Sequence, residues 1–136
     1  MPSFWKAMRE YLPDKSVYDS RPAFDDDLSK PLFRKGGRVG CITLHGIGGT
    51  PANIRVVADA LIEKGYTVVS PTLPGHGETV RALNASTDAQ WMQCIRDAYA
   101  RLKNEGCDQI YALGLSLGGI LSGLLVMGLG PYPEFA

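Results

Sequence analysis

Ser116 stands in the run Gly114-Leu115-Ser116-Leu117-Gly118, which has the form Gly-x-Ser-x-Gly. A serine hydroxyl attacks a carbonyl carbon well only when it is lifted clear of its surroundings. The residue types here suit that need. Gln109-Ile110-Tyr111-Ala112-Leu113 is a short apolar run that reads as a buried strand, and Ile120-Leu121-Ser122-Gly123-Leu124-Leu125-Val126-Met127 reads as an apolar helix. A serine on a sharp turn between strand and helix has the layout of a nucleophile elbow. Such a turn strains the serine backbone, and flanking glycines are required where a Cβ would strike the neighbouring strand or helix. The helix that follows aims its first amides at the reacting oxygen.

Acyl transfer needs a second part. The attacked carbonyl becomes an oxyanion, which preorganised N–H groups must receive. His45-Gly46-Ile47-Gly48-Gly49 supplies candidates, placed where one strand ends and a helix begins, some seventy residues before Ser116. Glycines at a strand end allow the close backbone approach that this requires.

The elements that must hold these parts follow from pattern. Arg38–Leu44 is nearly all apolar, as expected of a strand buried on both faces of a parallel sheet. Thr50 can cap a helix whose first turn holds Pro51, with Ile54, Val57, Ala58, Leu61 and Ile62 on its apolar face. Arg55, Asp59 and Glu63 fall opposite, and Gly65 suits the position past its end. Tyr66–Ser70 is the next strand, and Pro71–Gly77 (PTLPGHG) a loop. Thr87 and Gln90 have capping-box spacing ahead of a stripe of Trp91, Cys94, Ile95, Ala98 and Leu102, closed near Gly106. Pro31–Arg34 reads as an edge strand with a turn at Lys35-Gly36-Gly37. Tyr11–Asp14 reads as a turn, Asp25–Asp27 as a solvated acidic patch, and Trp91 and Met127 as core residues. Strand and helix alternate with short connections, which predicts an α/β fold with a parallel sheet and flanking helices.

Composition narrows the classes. Fourteen basic and fourteen acidic residues in 136 leave no net charge, so nothing points to nucleic acid or an anionic membrane. Cys41, Cys94 and Cys107 share no metal-type spacing and fit buried thiols of a cytoplasmic protein. No cofactor or metal is called for. Met1–Leu12 carries Lys6, Arg9 and Glu10 without an apolar segment of the secretory kind. Residues 110–133 hold no charge, but glycines, serines and Pro131 break the run, so no stable membrane insertion is expected.

The segments HGIGGTP (45–51), PTLPGHG (71–77) and GLSLGG (114–119) together resemble the α/β-hydrolase fold family. Within it they are most similar to bacterial carboxylesterases and monoacylglycerol lipases. The resemblance covers about residues 38–128. It implies Ser116 as nucleophile, the N–H groups of Leu117 and Ile47 as oxyanion donors, and a small-molecule or lipid ester as substrate. It further implies that His45 holds its loop, while His76 is read as ordering its own. One departure is large. The family's triad runs Ser, then Asp or Glu, then His; here only Glu134 is acidic after Ser116, and both histidines precede it. The expectation is therefore the N-terminal portion of a single α/β-hydrolase domain over 1–136, with later strands and cap missing and little activity by itself. Two other readings are weighed: a non-catalytic half-fold that binds or supports, and a membrane-anchored peptide.

Overall fold

The computed structural model describes residues 27–127. The expected turn at Tyr11–Asp14, most of the acidic patch and the segment 128–136 lie outside them.

Four strands form one sheet: β1 (Leu32–Arg34), β2 (Val39–Leu44), β3 (Thr67–Ser70) and β4 (Gln109–Gly114), in the order β1-β3-β2-β4. Four helices accompany them: α1 (Arg55–Glu63), α2 (Val80–Ala85), α3 (Asp88–Asn104) and α4 (Leu117–Val126). β3, β2 and β4 run parallel, with Cys41 opposite Val68 on one side and Tyr111 on the other. The sheet is not parallel throughout. β1 pairs antiparallel with β3, Phe33 opposite Val69, so the sheet is mixed. The reason is the short link Lys35–Arg38, which cannot cross over the sheet to return parallel. Thr67 fixes that link: its hydroxyl accepts from the Gly36 N–H at 2.9 Å and donates to the Gly37 carbonyl at 2.8 Å.

The apolar strands are buried on both faces, as their composition demands. Cys41 and Val68 face α1, packing with Ala58, Leu61 and Ile62. Their neighbours Ile42 and Val69 face the other way, against Ile95, Tyr99 and Leu102 of α3 and Leu121 and Leu125 of α4. Period-two alternation thus sorts each strand between two helical layers. Each fully buried side chain such as Ile42, Leu44 or Leu102 contributes about 1.5–3 kcal/mol of transfer free energy.

Helix starts are largely those the sequence announces. Thr87 Oγ1 accepts from Gln90 N at 3.2 Å, and Gln90 Oε1 accepts from Thr87 N at 3.0 Å, a complete capping box. The helix expected from Pro51 opens instead as a 3-10 turn, Pro51–Ile54, before α1 begins. α2 carries no signal strong enough to have been expected; Thr79 caps it, its hydroxyl accepting from Ala82 N at 3.1 Å. Met127, expected in the core, is 69% exposed. β4 pairs only with β2, so one side of it is an open edge, and Tyr111 on it is 56% exposed.

Candidate functional site

The site lies where β2 and β4 end side by side. The ladder between them runs to Leu44 opposite Gly114, and the Leu115 N–H then donates to the Leu44 carbonyl at 2.9 Å. The loops that begin at His45 and Leu115 therefore leave the sheet together, at the carboxyl ends of the strands.

Ser116 takes φ 53°, ψ −116°, and is the only non-glycine residue with positive φ among those described. That backbone state costs on the order of 1–3 kcal/mol and persists only where its surroundings enforce it. Here they do. A Cβ on Gly114 would fall onto the backbone of Gly118, and one on Gly118 would meet the Leu44 and His45 carbonyls, the latter at 2.8 Å. The strand, the turn and α4 are pressed together with no room for a methyl group. Gly119 N and Ile120 N donate to the Ser116 carbonyl at 2.9 and 3.2 Å, so α4 starts on the serine itself.

Gly46 abuts the serine from the β2 side: a side chain there would stand 3.3 Å from Ser116 Cβ and 3.9 Å from its hydroxyl. Ser116, Ile47, Gly48, Asn53 and Leu115 share a depression of about 330 Å³ with no titratable side chain in its lining. Its field comes from backbone amides and the amino end of α4. The amides of Ile47 and Leu117 donate to no backbone carbonyl among the described residues. Ile47 lines the depression with its side chain 56% exposed, whereas Leu117 sits just behind Ser116 and outside the lining.

His45 is fully buried with both ring nitrogens engaged. Leu73 N–H donates to Nε2 at 3.0 Å, which leaves Nδ1–H to donate to the Gly46 carbonyl at 2.9 Å. Burial, foremost, holds its pKa below the usual imidazole value, against the Gly46 hydrogen bond and with a smaller contribution from His76. A neutral His45 thus clips the loop after β2 to the loop after β3. His76 donates through Nδ1 to the Pro74 carbonyl at 3.1 Å; its ring lies 5.0 Å from that of His45, and its Nε2 is sealed from solvent. Trp91 Nε1–H donates to the same Pro74 carbonyl at 3.0 Å. Both histidines order loops, and neither hydrogen-bonds Ser116 among the described residues.

Asn53 is the lining residue that sequence reasoning missed. Its Oδ1 accepts from Thr50 N at 2.8 Å, and Asn53 N donates to the Thr50 carbonyl at 3.0 Å, closing the turn that backs the glycine loop. The Thr-x-x-Asn spacing, a relative of the capping box, is the signal that would have found it. No group of three or more His, Cys, Asp or Glu side chains able to hold a metal occurs among the described residues.

A strand–serine–helix turn beside a glycine-rich strand end defines the class to which the fold points. Residues 41–133 match the alpha/beta hydrolase family, and the chain belongs to that family. It is 36% identical over 94 residues to a thermostable monoacylglycerol lipase of Bacillus sp. (strain H-257), covering 69% of this chain and 37% of that protein. It is 40% identical over 93 residues to a carboxylesterase of Bacillus subtilis (strain 168), covering 68% and 38%. Among solved structures, one reported with the metagenome-derived lipolytic enzymes LipS and LipT superposes with a TM-score of 0.71 at 37% identity, covering 79% of this chain and 42% of that one. The chain thus spans less than half the length of these relatives.

Proposed function

We propose that this chain carries the nucleophile and the oxyanion donors of a serine esterase of the carboxylesterase or monoacylglycerol lipase type, as the N-terminal portion of one α/β-hydrolase domain over 1–136. The observation that carries the reading is the strained backbone of Ser116 at the β4–α4 junction, set against Gly46. In the reaction Ser116 Oγ attacks the ester carbonyl as its proton passes to a general base. The carbonyl π electrons move to oxygen, and the Ile47 and Leu117 N–H groups receive that charge. Collapse expels the alcohol, which takes back the proton, and leaves an acyl-serine that water then cleaves. Neither described histidine is placed to be the base, because His45 has both nitrogens occupied and His76 has one occupied and one sealed. The base and its carboxylate therefore belong to chain beyond the described residues. A serine lacking them holds too small an alkoxide fraction for useful attack.

The relatives' names support ester substrates, and the open, uncharged depression suits an uncharged acyl group. Three free cysteines fit a reducing, cytoplasmic setting. No described helix is long and apolar enough to cross a membrane. The test is a chain extended through the relatives' full length. It should cleave p-nitrophenyl butyrate, and Ser116→Ala should abolish cleavage without loss of fold. Undiminished turnover in that variant would end the assignment.

A further inference from the structure

A second, larger depression lies away from Ser116. It has a volume of about 570 Å³ and runs between α3 and the ends of β1 and β3. Val69, Pro71, Pro74 and Ala98 give it an apolar floor, while Asp97 and Arg101 stand on the α3 rim. Its size is that of a ligand cleft, about 300–1,000 Å³, but the floor lacks the convergent polar groups that orient a small ligand. Such a floor suits a stripe of apolar side chains.

This chain contains such a stripe. At 100° per residue, Phe4, Trp5, Met8, Tyr11 and Leu12 fall within an arc of about 120°, with Lys6 and Glu10 on the other side and Arg9 at its border. Pro13 is a helix stop directly after it. The stripe is also within reach. Pro31 itself lines the groove, and the 14 residues between Leu12 and Asp27 can span up to about 46 Å when extended. Charge favours the same pairing: Asp97 has no cationic partner among the described residues, and Arg9 borders the stripe. Arg101 is already held over the Phe33 ring, 3.6 Å from its centroid, so one rim of the groove is preset.

We propose that Phe4–Leu12 docks as an amphipathic helix into the groove between α3 and the β1–β3 edge of its own chain, with Arg9 beside Asp97. The docked segment buries the apolar floor and straps the end of α3 to the edge of the sheet. It does not depend on the proposed esterase activity.

The test is photo-crosslinking of the full chain. p-Benzoylphenylalanine replaces Met8, and ¹⁴N and ¹⁵N chains are mixed before irradiation, with and without phosphatidylglycerol vesicles. The expected product is an adduct within one chain, on peptides containing Pro71–Pro74 or Gln90–Arg101. Asp97→Arg should lower its yield several-fold, and adding Arg9→Asp should restore it. Isotopically mixed adducts would show a second copy in the groove, adducts on the Tyr111 face a different seat, and lipid adducts a membrane-surface helix; each would overturn the proposal. Alkylation provides a second measurement that does not need the probe. Cys94 lines the groove, and burial together with the Asp97 carboxylate pushes its thiol up to about 11, so iodoacetamide is used at alkaline pH. Phe4→Ser with Met8→Ser should speed Cys94 alkylation several-fold relative to the buried Cys41 and Cys107. An unchanged Cys94 rate would equally overturn it.

Discussion

Four glycines at the elbow and along α4 differ only in what a methyl group would meet, and alanine scanning there tests the packing directly. In Gly118→Ala the new Cβ points at two backbone carbonyls at the end of β2, with His45 O at 2.8 Å. Carbonyls in a paired strand cannot swing aside, so either α4 lifts or β2 and β4 separate. Overpacking costs about 1–3 kcal/mol, and an unyielding backbone places this case at about 3 kcal/mol or above. For a domain of roughly 100 residues that lowers the melting temperature by about 12–24 °C. Gly114→Ala belongs in the same class, because its Cβ lands on the Gly118 backbone. Gly119→Ala meets only the Gly114 carbonyl at 3.3 Å, and its helix-propensity gain should offset the squeeze to within about 1 kcal/mol. In Gly123→Ala the methyl has nothing within 4 Å inside α4, so the variant should gain about 0.5–1 kcal/mol. Circular-dichroism melts at low concentration, with pulse proteolysis as a second readout, rank the four. If Gly118→Ala melts no lower than Gly119→Ala, the close approach of α4 to β2 is wrong, and the argument for the strained serine falls with it.

Three further outcomes follow from the site and the open edge. In the extended chain, Ile47→Ala should change esterase rates modestly, whereas Ile47→Pro, which removes the N–H, should cost about 2.7–4 kcal/mol of transition-state stabilisation; equal kinetics for the two, with matched circular dichroism, would remove Ile47 from the site. The 136-residue chain alone should be oligomeric or insoluble and inactive toward p-nitrophenyl butyrate, because β4 offers an unpaired apolar edge and α4 shows Ile120 64% and Val126 52% exposed; a monodisperse monomer with turnover would refute this. His45 titrates below the model value of 6.5 in the folded state, so the unfolded chain binds the extra proton first. Stability should therefore hold above about pH 6.5 and decline as pH falls from there toward the folded pKa, as melts across that range would read; an NMR titration of His45 with an unshifted midpoint would contradict it.

Much of this was legible because periodicity and glycine placement are local. β2, β3 and β4 announce themselves as apolar runs, α1 and α3 as stripes with caps, and the elbow as a serine between two glycines that must be glycines. What escaped is set by tertiary contacts. The direction of β1 depends on a four-residue link, not on the three residues that pair. α2 is six residues long, too short for a stripe to show. α4 is apolar nearly all round, so its sequence does not say which side meets the sheet, and Met127 was misjudged for that reason. The family was legible from three glycine-containing segments in order, while the roles of Ser116, Ile47 and Leu117 rest on chemistry still to be measured. His45 could be expected to hold its own loop, but its partner Leu73, 28 residues away, is visible only once β2 and β3 lie side by side.

The strand order also sets a timetable. β2 meets β3 across a separation of 27 residues, Gly40 to Thr67, but meets β4 only across 70, Val39 to Gln109. Loop closure makes the longer connection dearer by about 0.8 kcal/mol of chain entropy, so the β2–β3 pair, with the His45–Leu73 link it permits, can assemble while β4 is still searching. During synthesis from the amino end the same order is imposed again, because β4 leaves the ribosome last. Ser116 rides on that late strand. The depression's glycine wall is thus erected before the serine arrives, and the strained turn is imposed on Ser116 by a surface already in place.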